Sequence, residues 1–273
     1  MILVQLTDLH VRPRGPAADR IAETNILTER ALRAVRDLKI RPDAIVISGD
    51  LTDNGLESEY AVLVEMLGRL IHVPVYVIPG NHDRREGMRA ALSHLPGVTA
   101  DPHFVHYAID DHEVRLVMLD TTVPGSGAGE LCAARLAWLD ATLAAVPHKP
   151  TIVVMHHPPF ASGTAHMDRI ALRNPAEFSA VIARHQQVRR ILCGHNHRPI
   201  NAMVAHTLAS VAPSVAHQVA FEIGDAPGMW NLEPAAYQVL ATMPQGDIVA
   251  HTVYVENFPG PFPFLVDPDY PGR

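Results

Sequence analysis

The sequence predicts an α/β protein built as a four-layer αββα sandwich, with two mixed sheets face to face and helices outside. Three observations lead there. Short apolar runs of strand length recur through the first two thirds of the chain. Helical patterns separate several of them. Past Cys193 the strand-like runs follow one another with little helix between. The length of 273 residues suits one large α/β domain, or a domain with a small appendage.

The runs Ile2–Leu6, Ala44–Ile47, Val73–Ile78, Val114–Leu119, Ile152–Met155 and Val188–Cys193 read as buried strands. Between the second and third, Leu56, Tyr60, Leu63, Leu67 and Leu70 step by four and three, which lines one face of a helix. Cys132, Leu136, Leu139, Leu143 and Val146 repeat that stepping. Asn174-Pro175 reads as N-cap and first helical residue, with Phe178, Val181 and Ile182 facing inward. After Cys193 the runs Ile200–His206, Val215–Phe221, Tyr237–Met243 and Ile248–Val255 predict a second, mainly antiparallel sheet. The domain then covers residues 1–255. Residues 256–273 form an extension rich in Pro and Phe. A flexible linker has no need of Phe258, Phe262 and Phe264, so the extension is expected to pack on its own domain or on a neighbouring subunit. Together with the antiparallel strands, it points to a homodimer or a larger homo-oligomer.

Composition narrows the function classes. With 22 basic and 29 acidic residues the net charge is −7, which gives no global attraction to nucleic acid or anionic lipid. Neither a nucleic-acid partner nor a membrane is expected. Two cysteines supply neither a disulfide framework nor a thiolate zinc site. The opening "MILVQLTDLH" lacks the basic region of a signal peptide, and no segment approaches the ~20 apolar residues of a membrane helix. The expected location is the cytoplasm. Seventeen histidines is a high count and directs attention to metal binding.

Five predicted strand ends carry polar clusters: "TDLH" with Asp8 and His10, "SGDLTDNG" with Asp50, "PGNHD" with Asn81 and His82, "MHHPP" with His156 and His157, and "CGHNH" with His195 and His197. In extended chain, residues two apart point the same way, so Asp8 and His10 can face one ion, as can His195 and His197. Strand ends of α/β folds open onto a common crevice. A mixed oxygen and nitrogen set gathered there suits transition metals better than magnesium or calcium. Gly49, Gly80 and Gly194 precede the clusters and would permit tight turns. One such cluster is weak evidence; five in order, each after a strand, are not.

This motif series resembles the calcineurin-like binuclear metallophosphoesterases over about Met1 to Asn201, roughly three quarters of the chain. Within that family the short D-x-H start, the GNHD ending in Asp, "RPRG" and "MHHPPF" are most similar to bacterial class III cyclic-nucleotide phosphodiesterases and glycerophosphodiesterases. Protein Ser/Thr phosphatases would instead show Arg and Glu where Asn54 and Asp83 stand. The resemblance implies that Asp8, His10 and His197 hold one metal, that Asn81, His156 and His195 hold the other, and that Asp50 bridges. The ions could be iron, manganese, zinc or cobalt. His82 would face the substrate as a catalytic group.

The expected reaction is hydrolysis of a small phosphodiester, either a 3′,5′-cyclic nucleotide or a glycerophosphodiester, by a hydroxide bridging the ions. Asp50 would be essential to it. A phosphomonoester, a nucleotide-sugar lipid or nucleic acid are the alternative substrates, and a non-enzymatic scaffold is disfavoured because every expected ligand is present. Arg12, Arg14, His166 and Asp168 could reach substrate. Asp53 and Asp83 are expected to hold loop backbone, and His157 and Asn196 to face away from the metals. His217 stays unassigned.

Overall fold

The computed structural model describes residues 1–18 and 21–264. Within them, β1 (Ile2–Leu6) leads to α1 (Thr24–Arg36), β2 (Ala44–Ser48), α2 (Glu57–Leu70), β3 (Val75–Ile78), α3 (Arg85–Leu92), β4 (Tyr107–Ile109), β5 (Arg115–Leu119) and α4 (Ala133–Ala145). Next come β6 (Thr151–Met155), α5 (Ala165–Asp168), α6 (Pro175–Ala183) and β7 (Val188–Cys193). The chain closes with β8 (Ile200–Val204), β9 (Thr207–Val211), β10 (Gln218–Val219), β11 (Trp230–Asn231), β12 (Ala236–Thr242) and β13 (Ile248–Tyr254).

Two mixed sheets result. One has the order β13-β12-β1-β2-β3, the other β4-β5-β6-β7-β9-β8. Strands β1, β2 and β3 run parallel, as do β5, β6, β7 and β9. After Cys193 only β10 and β11 make a sheet of their own, a two-stranded antiparallel one, contrary to the larger second sheet the sequence leads one to expect. Instead β8 and β9 extend the second sheet beyond β7, while β12 and β13 pair antiparallel along the far edge of β1. The reason is edge satisfaction: β1 and β7 would otherwise end their sheets with unpaired backbone, and the late strands cover one edge each.

Period-two alternation sorts side chains into two cores. From β5 and β6, Leu116, Met118, Ile152 and Val154 join the core shared with the first sheet. Their neighbours Val117, Leu119, Val153 and Met155 pack on the other face with Leu139, Leu143, Phe178 and Ile182 of α4 and α6. Each sheet thus has one face on the other sheet and one under helices, the expected four layers. Gln5 joins the sheets at one edge, donating from Nε2 to Ser48 Oγ and to Cys193 O, each at 2.9 Å. That contact aligns the C-terminal ends of the two parallel strand sets.

Local details differ in instructive ways. Leu56, the first member of the α2 stepping, is the exposed N-cap; the buried Glu59 side chain accepts from the Leu56 and Asn54 amides there. Asn174 does precede Pro175 at the start of α6, but its side chain bonds the backbone of Leu131 rather than the helix. Cys132 and Cys193 are free thiols. In the C-terminal extension Phe258, Phe262 and Phe264 are exposed, and Phe258 meets the Tyr254 ring of β13 edge-on at 6.0 Å. Residues 265–273 lie outside the described part. No helix among the described residues is long and apolar enough to cross a membrane. Phe178 is fully buried between α6 and the second sheet. Phe178→Ala is expected to cost about 3–5 kcal/mol in urea unfolding; a loss below about 1 kcal/mol would contradict this packing.

Candidate metal centre

Five of the seven parallel strands end in the sequence-predicted clusters. The backbone there is unusual. Asp8, His10, Asp50, His195 and His197 have φ of 54°, 46°, 48°, 74° and 53°, and the only other non-glycine residue of positive φ among those described is Ala205. The left-handed region costs roughly 1–2 kcal/mol per residue, and Asp and His are among the types that tolerate it best. Asp8 and His10 therefore reach one side of the edge through left-handed turns, not through extended chain, which corrects the period-two argument. Residues 8–11 are held in that course by hydrogen bonds from Asp8 N to Gly49 O and from His10 N to Asp50 O, at 3.1 and 3.0 Å. Of the three glycines before the clusters only Gly49 has positive φ, at 101°. Gly80 and Gly194 serve close approach instead: a Cβ on either would lie 2.2 Å from Asp50 Oδ1 or 2.1 Å from Thr7 Oγ1.

The seven predicted ligands meet at this edge in two overlapping sets. In the first, His197 Nε2 lies 3.3 Å from Asp8 Oδ1 and 3.1 Å from His10 Nε2, which lies 3.7 Å from Asp50 Oδ2. In the second, His156 Nε2 lies 3.3 Å from the same Asp50 Oδ2 and 3.1 Å from Asn81 Oδ1, which lies 2.9 Å from His195 Nδ1. Donors bound at about 2.1 Å in octahedral arrangement stand about 3 Å from their neighbours, so these spacings would suit the edges of two coordination shells that share one oxygen.

Ring orientations agree with that use, although at His156 the Asp50 carboxylate outweighs burial and lifts the pKa to about 9, so that imidazole gives up its Nε2 proton when an ion binds. His10 Nδ1 faces Asp53 at 3.2 Å, His156 Nδ1 donates to Ser48 O at 2.9 Å, and His197 Nδ1 donates to His217 O at 2.8 Å. Each leaves its Nε2 pointing inward, as ligating imidazoles do. His195 is turned the other way and presents Nδ1, with Nε2 buried and unpartnered. The donor set of four imidazoles, two carboxylates and one amide oxygen fits two transition-metal ions. Burial would raise the Asp8 pKa, but His197 beside it prevails and holds it down at about 2. Burial and the neighbouring histidines hold His195 neutral. Those are the charge states ligands need.

Other predicted residues take varied places. His82 is exposed beside the two sets; its Nδ1 donates to Asp53 O at 2.8 Å, and its Nε2 has no partner among the described residues. The Asp50 carboxylate, with burial opposing, raises its pKa. Asp83 holds backbone as expected, accepting from the amides of Leu51, Thr52 and Gly80. Asp53 does otherwise, receiving His10 and, at 2.5 Å, Arg12. The Arg12 charge is thus committed behind His10, and Arg14 pairs with Glu65. Asp168 accepts from Ser162 and from the Gly163 amide, so it braces its own loop. His166 sits on α5 against Gly228. Asn196 is buried close by with its Oδ1 unpartnered.

Two features escaped sequence reasoning. His217 packs its ring 5.1 Å from His10 and 4.7 Å from His197, though no motif surrounds it. A further parallel strand, β5, ends in the buried Asp120, gripped by Arg85 at 2.6 and 3.0 Å. The strand-end pattern "MLD" at Met118–Asp120 was the available signal. A groove of about 450 Å³ runs from His82 past Arg84 and Arg85 to Val123, Pro124 and Gly125.

Comparison with known proteins accords with this geometry. The family model described as calcineurin-like phosphoesterase matches residues 1–199. The chain belongs to the calcineurin-like phosphoesterase family. Over 266 residues it is 32% identical to a protein of Arcobacter nitrofigilis named as a probable glycerophosphodiester phosphodiesterase, covering 97% of both chains. It is 30% identical over 199 residues to a 3′,5′-cyclic adenosine monophosphate phosphodiesterase of Escherichia coli strain K12, covering 73% of this chain and 70% of that one. A dimetal phosphatase from Danio rerio shares the fold, with a TM-score of 0.66 over 92% of this chain and 98% of that one at 15% identity.

Two variants test the ligand geometry of this family member. Asp50→Ala, which removes the shared oxygen, is expected to lose most bound metal by elemental analysis after manganese loading; retention of two ions would contradict the sharing. A Cβ at residue 49 would lie 2.3 Å from His156 Nδ1. Gly49→Ala is therefore expected to weaken metal binding about 10–100-fold in a competition titration.

Proposed function

We propose that this calcineurin-like phosphoesterase hydrolyses small phosphodiesters, glycerophosphodiesters or 3′,5′-cyclic nucleotides, with two transition-metal ions held by Asp8, His10, Asp50, Asn81, His156, His195 and His197. The observation that carries the reading is the pair of donor sets meeting at Asp50 Oδ2. The end-to-end likeness to a protein named a probable glycerophosphodiester phosphodiesterase supports the diester class. Iron, manganese, zinc and cobalt all suit a nitrogen-rich set with few carboxylates.

Bound there, the two ions would supply Lewis acidity and a net positive pocket for phosphate, and would ready water for attack on phosphorus. Asn81 contributes a neutral oxygen, which keeps that pocket positive. Asp53 and the carbonyls of Ser48 and His217 fix the imidazoles that face it. As an imidazolium, the form the Asp50 carboxylate favours, His82 keeps Nδ1–H on Asp53 O and donates from Nε2–H to a phosphate oxygen or to the departing alkoxide. The groove beyond His82 gives the remainder of the diester a place to lie. The exposed Phe258 and Phe262 support assembly into a homodimer or larger homo-oligomer, which sedimentation would read.

The manganese-loaded enzyme is expected to cleave bis(p-nitrophenyl) phosphate faster than p-nitrophenyl phosphate, and the reverse order would refute the diester reading. A panel of cyclic AMP, cyclic GMP and glycerophosphoethanolamine sorts the natural class. His82→Ala should retain both ions yet lower kcat about 10²–10⁴-fold; unchanged turnover would remove His82 from the reaction.

A further inference from the structure

His157 follows His156 in sequence but none of the contacts above uses it. It is buried, and its ring lies against those of His156 and His195, with centroids 4.9 and 4.7 Å away. Both of its nitrogens are engaged elsewhere. Nε2 lies 3.1 Å from Gly127 O, which can only accept, so Nε2 carries the proton. Nδ1 is then an acceptor, and Thr121 Oγ1 donates to it at 2.7 Å. The fit is tight: a Cβ on Gly129 would stand 2.4 Å from His157 Nδ1.

Thr121 and Gly127 bracket the turn whose residues Thr122, Val123, Pro124 and Gly125 line the groove opposite His82. The root of that turn has a separate anchor, because Thr122 O accepts from Arg85 at 2.8 Å and from Arg135 at 3.0 Å. Its far limb is held at the surface by Arg173, which donates to Ser126 Oγ at 2.9 Å. His157 is the residue that joins both limbs directly to the strand end bearing His156. We propose that His157 is a positioning residue: it latches the 121–127 turn to the end of β6 that carries His156, and so sets the shape of the groove that orients the diester beyond phosphorus. The kinetic part of this inference rests on the phosphodiesterase reading; the latch itself does not.

Three variants probe it from different sides. His157→Phe keeps an aromatic ring and removes both side-chain hydrogen bonds, leaving the weak backbone one from His157 N to Thr121 Oγ1 at 3.5 Å, Thr121→Val removes that acceptor and the hydroxyl donor, and Gly129→Ala crowds the imidazole. Thr121→Ser, which retains the hydroxyl, is the rescue control. Each manganese-loaded protein is measured for backbone hydrogen–deuterium exchange over residues 123–128, manganese content, and kcat and KM on bis(p-nitrophenyl) phosphate. The latch predicts exchange about tenfold faster or more in that segment for the three variants, with manganese content unchanged. It predicts a KM raised about three- to tenfold with kcat within about twofold, and wild-type behaviour for Thr121→Ser. Unchanged exchange overturns it, as does a fall in manganese content or kcat while KM holds. If His157→Phe does not fold, Thr121→Val and Gly129→Ala decide the matter. If wild-type enzyme fails to cleave the diester, the function reading fails and exchange alone judges the latch.

Discussion

The Asp50 carboxylate is the constraint on which the site depends. Its Oδ2 faces both donor sets, while its Oδ1 accepts from the His82 amide at 2.9 Å. One side chain thereby fixes the relation between the two candidate metal positions and the residue proposed to meet the leaving group. It is almost fully buried, so its charge is felt strongly by every neighbouring imidazole. Burial resists its ionisation, but the histidines around it, His156 first, hold its pKa well below the usual carboxylate range.

Such a cluster is costly without something to hold it. Five residues sit in the left-handed region and several charges are buried. The sandwich supplies the support. Two cores fix the parallel strands, Gln5 ties their ends together, and main-chain pairing between residues 8–11 and 49–51 runs past the strands themselves. Asp83 and Asp120 then brace the loops on either side of the groove through backbone amides and Arg85. Rigidity is concentrated where the geometry of the donors must be held to fractions of an ångström.

Much of this was legible in the sequence because burial and metal chemistry leave local marks. Apolar runs marked six of the seven parallel strands to within two residues, β3 being furthest off because it starts only after Pro74. The nine candidate donors stand out because each cluster follows such a run, and the family resemblance selects seven of them. What escaped lacked a local mark. Strand β4 has only three residues, and the run for β8 extends to His206 with β9 missed because the turn at Ala205 and His206 carries neither Gly nor Pro. The placement of β12 beside β1 depends on a free sheet edge, which is a property of the assembled sheet. His217 and the engagement of Arg12 by Asp53 are likewise consequences of three-dimensional proximity between distant segments.

The central claim is that one carboxylate lies between two ions. The most direct measurement is anomalous X-ray scattering from crystals of the manganese-loaded protein, recorded at the metal edge. The account predicts two peaks about 3.5–4 Å apart with an Asp50 oxygen between them. A single peak, or two peaks with no Asp50 oxygen between them, would contradict it.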